Sequence, residues 1–312
     1  MPAALRTVLH GLSLVLGVTF ISFLLMVWFG PDQTYTLIGK NATAEQIAAV
    51  RHELGYDRPF LLRYFDYVRE LATLDLGASN ASGERVSRIL ARTVPISLAL
   101  MLPGFILGNL LGIVLGLEAA RRRGQWGDRV VSALAIASMS LSFLIVIIAL
   151  QVLLATPYGL DLFPVRGWQV TNLWSWLYYI AVPTLALVIV TLGYNTRFYR
   201  AVFVEEFGRD HIRTARAFGA SPTVILWRHV LRNSLVPILT RVLFSIPLVV
   251  ISGSLLIESY FGIPGLGKAS FDAITSGDQP VLKAVVALTA VAFVLLQLLV
   301  DLLYRLCDPR IA

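Results

Sequence analysis

Residues 262–269, Gly262-Ile263-Pro264-Gly265-Leu266-Gly267-Lys268-Ala269, come within one side chain of a phosphate-binding loop. That pattern, G-x-x-x-x-G-K-[ST], needs a Ser or Thr hydroxyl to hold Mg²⁺, and Ala269 supplies none. It also needs a preceding β-strand, whereas the residues before Gly262 form an apolar run long enough to cross a bilayer. The segment is expected to be a turn or short re-entrant piece capping a spanning helix, since irregular backbone near a membrane must be protein-covered or wet. Other chemistry is equally thin. His10, His52, His211 and His229 have no metal-ligand spacing, and Cys307 is the sole cysteine. The Ser and Thr residues in the apolar runs have no convincing base, and no carboxylate pair shares one depth. The expectation is a chain with no catalytic residues, no metal site and no cofactor of its own.

The more informative segment is basic. It reads Asp210-His211-Ile212-Arg213-Thr214-Ala215-Arg216-Ala217-Phe218-Gly219-Ala220-Ser221-Pro222 and continues through Trp227-Arg228-His229-Val230-Leu231-Arg232-Asn233. Ala215 and Gly219, four apart, share a helix face. Gly219 can take the positive φ that ends a helix. Ser221 can cap a following amphipathic helix with Pro222 at its first position. The result is a helix–turn–helix elbow at the membrane surface whose small residues admit a partner. A solvated basic loop that merely satisfies topology is the alternative from these residues alone.

The elements that must position this elbow are set by hydrophobicity. Of 312 residues, 57% are hydrophobic and only 14% charged, against about 25% charged in soluble domains. A spanning helix needs about 20 apolar residues. Six stretches qualify, at 8–29, 94–117, 130–155, 177–194, 236–257 and 282–303. They are too long for barrel strands of about 9–11 residues. The first is also longer than the roughly 7–15-residue core of a cleaved signal, so it is expected to be retained. The fold class is therefore all-α, polytopic, with six transmembrane helices.

Charge sets orientation. The second-to-third connection carries Arg121, Arg122, Arg123 and Arg129 against Asp128. The fourth-to-fifth carries Arg197, Arg200, Arg209, Arg213, Arg216, Arg228 and Arg232 against Glu205, Glu206 and Asp210. The first loop holds eight basic and eight acidic residues and nets to zero. The arginine-rich loops are thus expected in the cytoplasm, with both termini. This accounts for the net charge of +7 without a nucleic-acid partner. The long first loop should fold into a small helical cap, with Thr43 and Gln46 as a capping box and apolar residues recurring from Phe60 to Leu71. The expected organisation is residues 1–30 as the first spanning helix, 31–93 as an extracytoplasmic loop domain, and 94–312 as a five-helix core with a coupling loop at 199–235.

Within the spans, Gly104, Gly108, Gly112 and Gly116 repeat every four residues on one face. Small residues let helices approach closely in lipid, so the stripe serves tight packing within the chain or lines a path. Glu118, Arg241, Glu258, Lys283 and Asp301 lie near span ends, where interfacial contact or snorkelling is the simple reading. Arg241 is the deepest of them, and facing a path is its alternative.

The segment 199–240 resembles the cytoplasmic loop of binding-protein-dependent ABC importer permeases, most closely the dipeptide/oligopeptide class. Arg213-Thr214-Ala215-Arg216-Ala217-Phe218-Gly219 stands where that class has R-T-A-R-A-x-G, and Arg228-His229, Arg232-Asn233 and Pro237 continue the agreement. Leu54-Gly55-Tyr56-Asp57-Arg58-Pro59, Asp75-Leu76-Gly77 and Asp308-Pro309-Arg310 match its outer loop and C-terminal end. The run from Glu258 through Phe261, Pro264, Gly265 and Gly267 matches its E-x-x-F-x-x-P-G-L-G signature. The wider superfamily's E-A-A is replaced by Arg213-Thr214-Ala215 and a later proline by Arg232, both usual in the peptide class. Ile263 stands where a Trp is common, and the 158–176 loop is individual.

The resemblance implies a bacterial inner-membrane permease subunit that pairs with a second, commonly different, permease. Two cytoplasmic ATPase subunits, which hold ATP and Mg, would dock on Arg213 to Ala217 and Gly219 to Ser221, including Ala220. An extracytoplasmic binding protein would deliver peptide cargo. Nickel or another small solute fits the same motifs. An ion-driven secondary transporter, which inverted repeats and midplane charges would favour, and an intramembrane enzyme are the rival classes.

Overall fold

The computed structural model describes residues 3–29, 34, 38, 43–53, 55–249 and 253–307. Its helices in chain order are α1 (Ala3–Phe29), α2 (Ala44–Glu53), α3 (Phe60–Thr73), α4 (Val86–Arg121), α5 (Trp126–Ser140), α6 (Phe143–Ala155), α7 (Leu173–Phe207), α8 (Asp210–Ala217), α9 (Pro222–Val224), α10 (Leu235–Leu248), α11 (Ser254–Phe261), α12 (Leu266–Ser276) and α13 (Gln279–Cys307). A π-helical segment, Ile225–Leu231, continues α9. Among the described residues the β-type pairing is an isolated bridge between Ala78 and Arg85.

Among the described residues four helices are long and apolar enough to cross a bilayer: Leu9–Phe29, Val86–Arg121, Leu173–Phe207 and Gln279–Val300. Of the other two expected spans, one is sharply bent. The stretch at 130–155 is two helices, α5 and α6, meeting at 97°. Leu141 and Ser142 between them are extended. Serines flank the break, and the Ser140 hydroxyl donates to the Ile136 carbonyl, a side-chain competition that bends helices. Neither Gly nor Pro marks the spot, so hydropathy reads straight through it. The stretch at 236–257 is α10 followed by α11, with residues 250–252 outside the described set. Leu54, Asp308, Pro309 and Arg310, named above, also lie outside it.

The chain forms two compact units. The first is Met1–Ser97 with Pro264–Leu298. In it, Phe23 of α1 packs with Tyr64 and Tyr67 of α3, stacking on Tyr67 at 5.5 Å. Tyr64 donates to the Leu16 carbonyl at 2.8 Å. A second cluster joins Val86 and Ile89 to Leu266, Val281 and Val285. The expected Thr43–Gln46 capping box forms, with reciprocal bonds of 3.0 and 3.3 Å. Asp278 ties down the loop before α4, accepting from the Ser79 hydroxyl at 2.5 Å and the Asn80 amide at 3.2 Å.

The second unit is Leu98–Ile263 with Leu299–Ala312. Helix α7 is its centre. The bent pair α5–α6 packs along it, and Gly193 admits that approach: a Cβ there would lie 2.3 Å from the Ala135 carbonyl oxygen. The Ser138 hydroxyl donates to the Ile189 carbonyl across the same contact. The glycine stripe of α4 meets the opposite stretch of α7. Cβ atoms at Gly104, Gly108, Gly112 and Gly116 would come within 2.6–2.9 Å of Leu187, Thr191, Asn195 and Arg200. The stripe is therefore a helix-packing face within the unit.

Candidate functional site

The elbow is built from the end of α7 outward. Tyr199 and Phe203, fully buried, form a cluster with Ile212 of α8 and Ile225 and Val230 of the π-helical segment. Helix α8 closes in a Schellman motif: the Ala220 amide donates to the Ala215 carbonyl and the Gly219 amide to the Arg216 carbonyl, both at 3.0 Å. That geometry requires a left-handed residue at its end, and Gly219 has φ +78°. Ser221 caps α9 by accepting from the Val224 amide at 3.4 Å, with Pro222 following. The continuation is π-helical rather than the α-helix the sequence suggested. Its wider turn turns both Ile225 and Val230, five residues apart, into the cluster.

Exposure divides the elbow's residues. Ala215 and Ala220 are half-buried against the cluster. Arg213, Thr214, Arg216, Ala217, Gly219 and Ser221 are exposed. Arg213 pairs loosely with Asp210 at 3.5 Å. Phe218, at the tip, is 88% exposed, and the space about the Gly219 α-carbon is open. Beside the tip lies a cavity of about 420 Å³ lined by Arg121, Arg123 and Arg216 with Phe207, Ala220 and Leu226. The tip thus presents an exposed aromatic side chain on a turn with no side chain at its apex, next to a cavity lined by three arginines.

Two ion-pair assemblies brace this end of the unit, and neither was visible in the spacing of the sequence. Glu206, only 3% exposed, holds Arg209 at 3.0 Å and His211 at 3.1 Å, and Asn233 contacts the same His211 nitrogen at 3.1 Å. The last turn of α7 is thereby fastened to the first turn of α8. Arg200 grips Asp128 with two bonds of 2.6 and 2.8 Å, and the Gly124 amide donates to the same carboxylate at 2.9 Å. The signal available was an acidic residue within each basic run, which net-charge reasoning counts but does not pair.

Of the other expected residues, Arg241 of α10 lies with its guanidinium 5.3 Å from the Phe198 ring, and its buried Nε has no hydrogen-bond partner among the described residues. Glu258 is fully buried, which corrects the interfacial reading. The backbone carbonyl of Glu258 accepts from the Ile263 amide at 2.9 Å, closing the end of α11. Phe261 beside it is strapped by the 158–172 loop: the Gly167 amide donates to the Phe261 carbonyl at 2.8 Å and Arg166 to the Tyr260 carbonyl at 3.0 Å. Tyr260 in turn donates to Gln151 at 2.5 Å. Gly262, at φ +68°, ends α11, and Gly265 precedes the first turn of α12, which contains Gly267. Pro264 and Gly265 belong to the first unit, Glu258 and Phe261 to the second. Lys268 pairs with Asp272 at 2.7 Å, a helix-surface pair in place of a phosphate contact. Among the described residues no cluster of three metal-ligating side chains occurs.

Comparison with known proteins adds the family. Residues 108–312 match the profile of the binding-protein-dependent transport system inner membrane component. The chain belongs to this family. Residues 3–101 match the N-terminal membrane component of the same transport systems. A Brucella abortus (strain 2308) protein named as a peptide transport system permease is 33% identical over 312 residues, covering 98% of each chain. The glutathione transport system permease GsiC of Salmonella typhimurium is 33% identical over 308 residues, covering 98% of this chain and 97% of the relative. The fold also matches the solved methionine ABC transporter MetNI in an inward-facing form. The TM-score is 0.57 at 20% identity, over 71% of this chain and 97% of that one. The family, with the apolar helices, makes this a multi-pass inner-membrane transport component of all-α fold.

Proposed function

We propose that the chain is one permease subunit of an ABC importer that moves peptide-type solutes across a bacterial cytoplasmic membrane. It would line the path and carry the coupling elbow, while ATP and Mg bind partner subunits. Family membership and the names of the relatives support the importer class and the peptide cargo; nickel or another small solute remains the second reading on the same motifs. Two ATPase subunits would dock at Arg213 to Ser221, a second, different permease would complete the path, and an extracytoplasmic binding protein would deliver cargo. The arginine-rich loops support a cytoplasmic elbow and cytoplasmic termini.

One observation carries the coupling role. The elbow is not a loose loop: its hydrophobic side is fused to α7 through Tyr199, Phe203, Ile212, Ile225 and Val230, while its tip stays open. A partner shifts a conformational equilibrium only through differential interaction with its states. A stiff linkage converts docking at the tip into displacement of a spanning helix. Gly219→Asp adds bulk and negative charge at the apex, and Asp tolerates the left-handed conformation better than most residues. ATP-driven uptake and co-purification of the ATPase subunits should both be lost while membrane yield of the chain persists. Normal values for both would discard the docking role.

A further inference from the structure

The first unit contains a cavity of about 440 Å³ among α1, α3 and the start of α13. Its volume falls within the range of small-ligand sites, about 300–1,000 Å³. Its wall is charged in both senses: Arg58, Arg63 and Lys283 face Asp66, Glu70 and Asp75. Only one of these pairs is closed, Arg58 with Asp66 at 3.1 Å. The Arg63 guanidinium instead lies 4.7 Å from the Tyr56 ring centre and 5.9 Å from that of Phe23. The Lys283 ammonium lies 5.3 and 5.8 Å from the rings of Phe23 and Tyr67. Tyr67 is locked in place by donating to the Lys283 carbonyl at 2.9 Å. Two cations are thus held on aromatic faces, opposite carboxylates they do not bond.

Depth identifies the ligand. Phe23 lies within the last turns of the span Leu9–Phe29, and Lys283 within the first turns of Gln279–Val300. The cavity is therefore at the level where hydrocarbon gives way to headgroups. Helix α3 behaves as an interfacial helix: Tyr64 and Tyr67 face inward while Leu61, Leu62 and Phe65 are exposed. Such a helix lies in the membrane plane with its apolar face in the acyl boundary. Trp28, exposed at the end of α1, stacks on Phe60 at 5.6 Å, in the manner of an aromatic belt.

We propose that this cavity binds the headgroup of phosphatidylethanolamine, with its phosphate on Arg63 and Lys283 and its ammonium on Glu70 and Asp75. A purely anionic headgroup would leave the carboxylates facing its charge. A choline headgroup has no N–H to donate and is recognised on aromatic faces, but the rings here are already covered by Arg63 and Lys283. Burial pushes the Glu70 carboxyl above its usual range and Arg63 below its own. An ammonium beside the first and a phosphate beside the second would reverse both effects.

The test uses the full chain, purified with its partner subunits and washed with detergent. Native mass spectrometry should show phosphatidylethanolamine retained on the wild type and on Lys268→Gln, whose lysine is outside the cavity. Retention should fall about tenfold, a loss of ~1.4 kcal/mol, in the Arg63→Gln/Lys283→Gln double variant. Equal retention in the double variant overturns the proposal. A second arm needs no variant. Delipidated wild type is given phosphatidylethanolamine, phosphatidylglycerol, phosphatidylcholine or free phosphoethanolamine, and its thermal midpoint is read. A rise with phosphatidylethanolamine alone supports the site. An equal rise with either other lipid, or with the free headgroup in place of the lipid, overturns it.

Discussion

Gly116 faces the backbone of α7 at a spacing that leaves no room for even one methyl group. A Cβ there would sit 2.9 Å from the Arg200 amide nitrogen and 3.0 Å from the Thr196 carbonyl oxygen, and neither atom can rotate away. Gly116→Ala is expected to cost about 1–3 kcal/mol, the range for overpacking a tight core, seen as a lower midpoint of thermal unfolding in detergent. Gly17, with nothing within 4 Å of its added Cβ, supplies the contrast: Gly17→Ala should leave that midpoint unchanged or slightly raised, since Ala is the better helix former. The four-residue repeat was legible in the sequence because small residues have one use in common, close approach. The residues that use it, Leu187, Thr191, Asn195 and Arg200, were not, because nothing local in α4 encodes which helix fills the groove.

Among elements, the same division holds. The caps were legible. Thr43 with Gln46, Gly219 and Ser221 with Pro222 each satisfy backbone groups a few residues away, so local chemistry determines them. The break between α5 and α6 was not, because it comes at Ser140-Leu141-Ser142, a sequence that hydropathy averages into a continuous span. The ties between elements were illegible for a different reason. Asp128 and Arg200 are 72 residues apart, and Glu206 reads as one more charge in a basic loop until His211 is seen beside it. The Asp128–Arg200 tie joins the start of α5 to the last quarter of α7. Asp128→Ala would strand a guanidinium whose side chain is only 30% exposed. Removing one partner of a buried pair costs about 3–5 kcal/mol, and partial exposure places this one near the lower end. A fall in detergent stability or in the yield of folded chain would register it. Asp128→Asn, which keeps an acceptor, should fall between.

For the molecule as a whole, orientation follows from where the arginines accumulate. The sequence has one cysteine, Cys307, so a Cys307→Ser background makes a clean reporter. Phe218→Cys at the exposed tip should react with a membrane-impermeant maleimide in inside-out vesicles and not in intact cells. Labelling in intact cells would place the elbow on the outer face and remove it from contact with cytoplasmic ATPases. The family and the all-α membrane architecture were legible from composition and from ordered motifs along the chain. Hydropathy alone did not show that the stretch at 130–155 is a sharply bent pair of helices.

The π-helical winding of Ile225–Leu231 has a mechanical corollary. A π turn packs more residues into each revolution than an α turn, so the segment is shorter than its residue count would otherwise allow. Rewound at the α pitch it would lengthen, and Ile225 and Val230 could no longer share one side. Any pull that stretches this segment must therefore wet a buried aliphatic side chain. The strut between tip and bilayer resists extension through the same apolar contacts that anchor it, and its slack is metered in whole residues.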